Sequence, residues 1–175
     1  IAFAANYDGA TEIYTMPING GLAKRVTFEN SAIKLHQWHQ DGIVYSTNSR
    51  VGPTASWVLK TVEPTTLSTK IMPLSDAVEG RLSQDGSTLY FTQFGLQMSN
   101  DNANQYKGGA QGELWRYTLG SQQEASLLTE DINASVREPM IKGDTLYFVS
   151  NESGLDNVWA MDLDGDNRRQ ITKFT

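Results

Sequence analysis

One short stretch, Leu146-Tyr147-Phe148-Val149-Ser150-Asn151, decides the fold because its pattern occurs in four versions along the chain. The other versions are Ile1-Ala2-Phe3-Ala4-Ala5-Asn6, Ile43-Val44-Tyr45-Ser46-Thr47-Asn48 and Leu89-Tyr90-Phe91-Thr92-Gln93-Phe94. Apolar and aromatic residues of this kind favour a β-strand. The copies begin at residues 1, 43, 89 and 146. Repeats of about 40–50 residues, with several strands in each, are typical of a β-propeller.

Two further apolar runs follow each copy. The second runs carry one aromatic residue each, and we expect these to occupy one equivalent, buried place per blade: Tyr14, Trp57, Trp115 and Trp159. The third runs are Lys24-Arg25-Val26-Thr27, Lys70-Ile71-Met72-Pro73, Ser126-Leu127-Leu128-Thr129 and Arg169-Gln170-Ile171-Thr172. Asp41-Gly42 and Asp85-Gly86 predict the turns that end two innermost strands, since glycine adopts positive φ without strain.

The sequence therefore predicts an all-β chain, a partial β-propeller of about three and a half blades, each a four-stranded antiparallel sheet. We assign residues 1–175 to this single partial propeller, with blades at approximately 1–32, 33–77, 78–135 and 136–175. The first blade is incomplete because no innermost strand precedes Ile1. Propellers normally close into a ring, so open blade faces predict self-association or an oligomeric parent protein.

Composition excludes several classes of function. The net charge is −6, the pI is about 4.8, and Arg168-Arg169 is the most basic cluster, so we expect no nucleic-acid partner. No apolar run approaches the roughly 18 residues that cross a membrane. The absence of cysteine excludes a disulfide framework and a thiolate nucleophile. The compartment stays open between the cytoplasm and, if the parent has a signal peptide, the periplasm.

The sequence offers no convincing catalytic or metal site. His36 and His39 are the two histidines, and on a regular strand residues three apart point to opposite faces, so they cannot share a site. Asp162, Asp164 and Asp166 alternate like a calcium loop but lack its glycine and terminal glutamate at the required spacing. A hairpin turn explains them better. We therefore expect no catalytic residue, metal or cofactor in this chain.

Candidate binding residues come from the inner strands, which line the central channel of a propeller. They are His36, Gln37, Glu79, Arg81, Arg137 and Glu138. A rim of mixed charge can bind peptide backbones and termini through charge-assisted hydrogen bonds. The other interpretation is a solvated channel wall that has no ligand.

The third repeat also contains a polar, glycine-rich insertion over residues 95–112, longer than most connections between strands. It includes Tyr106, Lys107, Gly108, Gly109 and Gln111. Long loops of this kind are often functional. The alternative is a surface excursion without a role.

Several of these motifs resemble the WD40-like (PD40) blade shared by Tol-system propellers and tricorn-type proteases. The matching pieces are Gln40-Asp41-Gly42, Gln84-Asp85-Gly86, Ile1-Ala2-Phe3, Ile13-Tyr14 and Arg168-Arg169-Gln170-Ile171-Thr172. Gln40 and Gln84 stand where that blade has proline. The chain resembles most closely the N-terminal six-bladed propeller of a tricorn-type serine protease, through Ala4-Ala5-Asn6-Tyr7-Asp8-Gly9, Tyr106-Lys107-Gly108-Gly109-Ala110-Gln111 and Arg137-Glu138-Pro139-Met140.

The resemblance implies a non-catalytic propeller segment that gates or docks peptide substrates for a serine protease core outside this chain. Its partners are then peptides or the rest of the parent peptidase. The alternative is a PD40 or Tol-type protein–protein interaction module, which does not need the insertion. A propeller enzyme such as a sugar lyase is disfavoured, since it needs a cluster of metal-binding side chains in the channel.

Overall fold

The computed structural model describes residues 1–49, 57–93 and 108–174, and the described residues form strands and turns without a helix. The strands are β1 (Ala2–Ala5), β2 (Glu12–Thr15), β3 (Lys24–Arg25), β4 (Ile33–His39), β5 (Gly42–Thr47), β6 (Val58–Val62), β7 (Thr69–Ile71), β8 (Ala77–Leu82), β9 (Thr88–Gln93), β10 (Glu113–Thr118), β11 (Ser126–Leu127), β12 (Val136–Lys142), β13 (Thr145–Ser150), β14 (Asn157–Asp162) and β15 (Arg169–Gln170).

These strands form four antiparallel sheets in which neighbours in sequence are neighbours in space. Strands β1 to β3 form a three-stranded sheet, and β4–β7, β8–β11 and β12–β15 each form a sheet of four. This arrangement confirms the predicted fold class, a partial β-propeller with an incomplete first blade. The blade limits that we placed at 32, 77 and 135 stay a prediction.

The chain divides into two compact units, residues 1–80 and 81–175, with the division inside β8. In the first unit, the core joins the first two sheets through Ile13, Val26, Ile43, Tyr45 and Val62. In the second unit, the core joins the third and fourth sheets through Tyr90, Leu114, Val136, Leu146, Phe148 and Met161. Each core therefore lies between two blades, which explains why both faces of a blade strand are apolar.

The strand register corrects one prediction about the repeated aromatic residues. Tyr14 pairs with Phe3, Trp115 with Phe91 and Trp159 with Phe148, so three of the four occupy equivalent places. In the second sheet, the residue opposite Tyr45 is Lys60. Trp57 precedes β6 and does not fill that place, so its predicted equivalence is wrong.

Lys60 occupies the aromatic place because the first unit supplies a half-buried carboxylate, that of Glu29, as its partner. Its Nζ lies 2.9 Å from both carboxylate oxygens of Glu29, which also accepts hydrogen bonds from Tyr45 and Ser49 at 2.7 and 2.6 Å. The Lys60 and Glu29 side chains are 12% and 11% exposed. An ion pair can replace an aromatic ring in a blade core when hydrogen bonds satisfy both charges.

Candidate functional site

In the first unit, the inner strands β4 and β8 are joined by an ion pair. Lys34 Nζ lies 2.6 Å from Glu79 Oε1, and the Glu79 side chain is 2% exposed. Glu79 was a predicted channel residue, whereas Lys34 was missed. The lysine precedes His36 by two residues in the same strand, but a β-bulge between Leu35 and Gln37 interrupts alternation there, so the residue pattern did not reveal Lys34. The pair places opposite charges on the inner strands of two consecutive blades.

His36 and Gln37 lie at a β-bulge. The directions of the His36 and His39 side chains therefore do not follow from the alternation of a regular strand. The pairing of β4 with β5 shifts between Leu35 and Gln37, so regular alternation does not hold across His36. Its Nε2 lies 2.8 Å from Ser46 Oγ, while His39 Nδ1 lies 3.3 Å from an Asp41 carboxylate oxygen. Within the described residues, no three His, Asp or Glu side chains are grouped to bind a metal.

In the second unit, Arg81 and Arg137 also lie on inner strands. Arg81 Nε donates a hydrogen bond of 3.1 Å to the carbonyl of Pro139. This bond links the Arg81 side chain to strand β12. Arg137 forms an ion pair with Asp156, with both side chains about one-third exposed. Asp156 was missed because it lies in the loop before β14, where sequence alone does not show which way a side chain points.

A second bulge positions Glu138. The register of β12 against β13 shifts between Arg137 and Met140, and Glu138 has a φ of 54°. Non-glycine residues adopt this left-handed region infrequently, mostly where surrounding structure fixes it. Both bulges therefore fall at predicted channel residues of an inner strand, where bulges commonly reorient side chains.

The insertion lies mostly outside the described residues. Tyr106 and Lys107 belong to that part, and Gly108, Gly109 and Gln111 lie in the described part. The amide of Gln111 donates to the carbonyl of Gly108 at 3.1 Å, which closes a turn. The amide of Val136, the first residue of β12, donates to the carbonyl of Gly112 at 2.9 Å. The end of the insertion is thus attached to an inner strand.

The loop of alternating aspartates forms a hairpin turn. The amide of Gly165 donates to the carbonyl of Asp162 at 3.0 Å, and the amide of Asp162 donates to the carbonyl of Asp166 at 2.9 Å. Asp162 Oδ2 accepts a further hydrogen bond from the Asn167 side chain. The carboxylate thus orders the turn, as the hairpin interpretation predicted.

Two carboxylates, the buried Glu12 and the half-buried Glu29, make the first unit sensitive to acid. Burial raises the pKa of Glu12 and Glu29, but hydrogen bonds from Thr27 to Glu12 and from Ser49 and Lys60 to Glu29 outweigh it, and both pKa values are lowered from 4.5. A carboxyl whose pKa is lower in the folded state stabilises that state above its unfolded pKa. The stabilisation is therefore present above about pH 4.5 and disappears as the pH falls through the folded pKa values.

We expect the urea midpoint of the protein to fall as the pH is lowered from 5 to 3, with Glu29 responsible for a measurable part of the fall. The Glu29→Gln variant should be less stable at neutral pH and should lose less stability across this range. Glu130→Gln, at an exposed position, is the control and should retain the full pH dependence. Identical pH profiles for the Glu29→Gln variant and the unmodified protein would contradict the assignment.

Consecutive antiparallel sheets of three and four strands define the chain as a partial β-propeller. It belongs to the family of tricorn protease N-terminal β-propeller domains, whose family model matches residues 1–175. It is 26% identical over 181 aligned residues to tricorn protease homolog 1 of Streptomyces coelicolor, covering 98% of this chain and 16% of that protein. It is 39% identical over 70 residues to the tricorn protease homolog of Saccharolobus solfataricus, covering 40% of this chain and 6% of that protein.

Solved structures show the same fold. The crystal structure of the tricorn protease matches 99% of this chain and 17% of its own, with a TM-score of 0.79 and 21% identity. A putative TolB from Agrobacterium tumefaciens matches 97% of this chain and 59% of its own, with a TM-score of 0.73 and 20% identity. The two tricorn relatives that match nearly all of this chain are much longer than it. The chain spans about one-sixth of the length of each of them. No helix long and apolar enough to cross a membrane occurs within the described ranges.

Proposed function

We propose that this chain is a non-catalytic propeller segment of a tricorn-like peptidase, which docks or gates peptides for a serine protease core outside the chain. Membership of the tricorn N-terminal propeller family supports the peptidase context. The observation that carries the docking role is the presence, in each unit taken by itself, of charged side chains on inner strands: Lys34 and Glu79 in the first unit, Arg81 and Arg137 in the second.

Inner-strand charges suit peptides because a peptide presents both donors and acceptors along its backbone. The Arg137 side chain is one-third exposed, and its Nε is buried without a hydrogen-bond partner among the described residues, so the side chain keeps donor capacity for a carbonyl or a carboxylate. Charge-assisted hydrogen bonds of this kind are about twice as strong as neutral ones. The bulge at Arg137 and Glu138 leaves this part of β12 irregularly paired, which favours contacts between its backbone and a ligand.

The test is steady-state kinetics of the full-length peptidase that contains this segment. Arg137→Gln should raise KM for peptide substrates about tenfold, because it removes a binding interaction that the ground state and the transition state share. The kcat should change by less than about twofold. Loss of the partly exposed ion pair with Asp156 should cost about 1 kcal/mol of stability or less.

Two variants control this experiment. Asp156→Asn breaks the same ion pair but keeps the guanidinium, so KM should stay near the unmodified value. Lys142→Gln removes a positive charge from the exposed end of the same strand and should have no effect. An unchanged KM for Arg137→Gln, or a fall in kcat alone, would contradict the docking role.

The second candidate, a Tol-type protein–protein interaction module, is supported by fold similarity to TolB structures. It predicts that inner-strand variants leave peptide kinetics unchanged and weaken the capture of a protein partner. We further propose that this segment associates with the rest of a longer parent protein or with a second copy, since it spans about one-sixth of the length of the relatives that it matches along its whole length. The solution mass measured by light scattering across a concentration series tests this association.

A further inference from the structure

A polar cavity of about 180 Å³ lies on the third sheet, within the second unit and away from the inner strands. It is formed by one face of β9, β10 and β11 and by the loop between β10 and β11. The register places Tyr90, Arg116 and Ser126 side by side across the three strands, and Thr88 beside Thr118. Ser121, Gln123 and Glu124 complete the lining from the loop. The lining is therefore rich in hydroxyl groups.

Tyr90 contributes a phenol hydroxyl group to this cavity. It is 3% exposed, and its hydroxyl has no hydrogen-bond partner among the described residues. The hydroxyl is not one of the described buried polar atoms that lack a partner, so it is open to the cavity and can donate to a molecule there. Burial raises the pKa of Tyr90, so the phenol is a neutral donor at physiological pH. A ligand or water molecule in the cavity would satisfy it.

The lining has two charged side chains, of which Arg116 is half-buried and Glu124 is exposed. Arg116 and Glu124 form no ion pair with each other or with any other residue that the structure describes. Two opposite charges that face one cavity without touching leave room for a ligand that bridges them. Since the lining carries one positive and one negative side chain, its best complement is a molecule that also carries one of each.

The volume indicates how large a molecule, or part of a molecule, the cavity can hold. A water molecule occupies about 30 Å³ in the liquid, so the cavity has room for about six waters or a ligand of roughly six to ten non-hydrogen atoms. A cavity of this volume cannot enclose a peptide of several residues. It can hold a free amino acid or a similar zwitterion. The hydroxyl groups of Thr88, Thr118 and Ser126 provide further donors and acceptors for a polar side chain.

We propose that this cavity binds a small zwitterion of amino-acid size, with its carboxylate on Arg116, its ammonium group on Glu124 and a polar group within reach of the Tyr90 hydroxyl. The site is separate from the inner-strand residues to which we assign peptide docking, and it does not depend on that role. It gives the third blade a ligand site of its own, at the outer part of the sheet.

The test is an NMR titration of the isotopically labelled chain with L-serine as the probe. Saturable shifts of the amides of residues 116–126 are expected. L-lactate, which lacks the ammonium group, and ethanolamine, which lacks the carboxylate, should each bind at least about tenfold more weakly, because each leaves one charged side chain unpaired. Shifts that do not saturate, or lactate binding as tightly as serine, would overturn the proposal.

Matched variants locate the site. Arg116→Gln and Glu124→Gln should each weaken L-serine binding about tenfold or more. Arg169→Gln and Glu130→Gln remove the same charges at exposed positions outside the cavity and should leave the affinity unchanged. A urea unfolding curve confirms that each variant is folded. Equal loss of binding in the cavity and control variants would overturn the proposal, since it would show that net charge alone attracts the ligand.

Discussion

Replacing Glu12 with alanine is expected to destabilise the protein by about 3–5 kcal/mol. The Glu12 side chain is fully buried and pairs with Arg25 Nη2 at 2.8 Å. It also accepts hydrogen bonds from the Thr27 hydroxyl at 2.6 Å and from the Asn30 amide at 2.8 Å. One carboxylate thus connects β2, β3 and the segment that leads to β4. Alanine would leave the partly buried Arg25 charge and two donors without their acceptor.

Urea unfolding measures the loss in free energy of unfolding, and two further variants serve as comparisons. Glu12→Gln keeps the size and one carbonyl acceptor, so we expect a smaller loss than with alanine. Glu130→Ala removes a carboxylate from an exposed position and should change stability by no more than about 0.5 kcal/mol. A loss of less than about 1 kcal/mol for Glu12→Ala, on the order of a surface ion pair, would contradict the structural role of the buried carboxylate.

The second large effect is expected for Gly112→Ala, with a loss of about 3 kcal/mol. A Cβ at residue 112 would lie 2.4 Å from the carbonyl oxygen of Val136, far inside van der Waals contact. That oxygen belongs to the backbone of an inner strand and cannot rotate away. The methyl group would separate the two segments and weaken the hydrogen bond from the Val136 amide to the Gly112 carbonyl. The insertion would then lose its attachment to β12.

Gly109→Ala is the matched control for this prediction. Gly109 lies in the same insertion, has nothing within 4 Å of the position that a Cβ would occupy and has no positive φ. The stability of this variant should stay within about 0.5 kcal/mol of the unmodified protein. The urea midpoint of Gly112→Ala should fall while the slope of the transition is kept, because native contacts are lost without a change in the denatured state. Equal stability of the two variants would contradict the close approach at residue 112.

The repeat pattern was sufficient to predict the strands of the fold because each blade strand is apolar on both faces and ends in a recognisable turn. The four first runs and the four third runs all form strands in the expected order. The pattern failed at Trp57, where the sequence offers an aromatic residue three positions before the structurally equivalent Lys60. A lysine in a blade core cannot be predicted without its partner, and Glu29 lies outside the strands in a segment with no repeat signal.

The candidate site was less predictable than the fold for a physical reason. Side-chain direction on a strand follows from alternation, and the bulges in β4 and β12 interrupt alternation at the residues that matter. Lys34 and Asp156, which pair with Glu79 and Arg137, come from other segments of the chain. Such pairs depend on tertiary structure, and a single sequence does not reveal them.

Photo-cross-linking of a peptide substrate to the full-length peptidase tests the central claim most directly. A peptide that carries a photoreactive residue is bound, irradiated and digested, and its cross-links are mapped by mass spectrometry. The docking role predicts cross-links within the inner strands, at residues 33–39, 77–82 and 136–142, that an excess of unlabelled peptide abolishes. Competable cross-links that all lie outside residues 1–175 would contradict it.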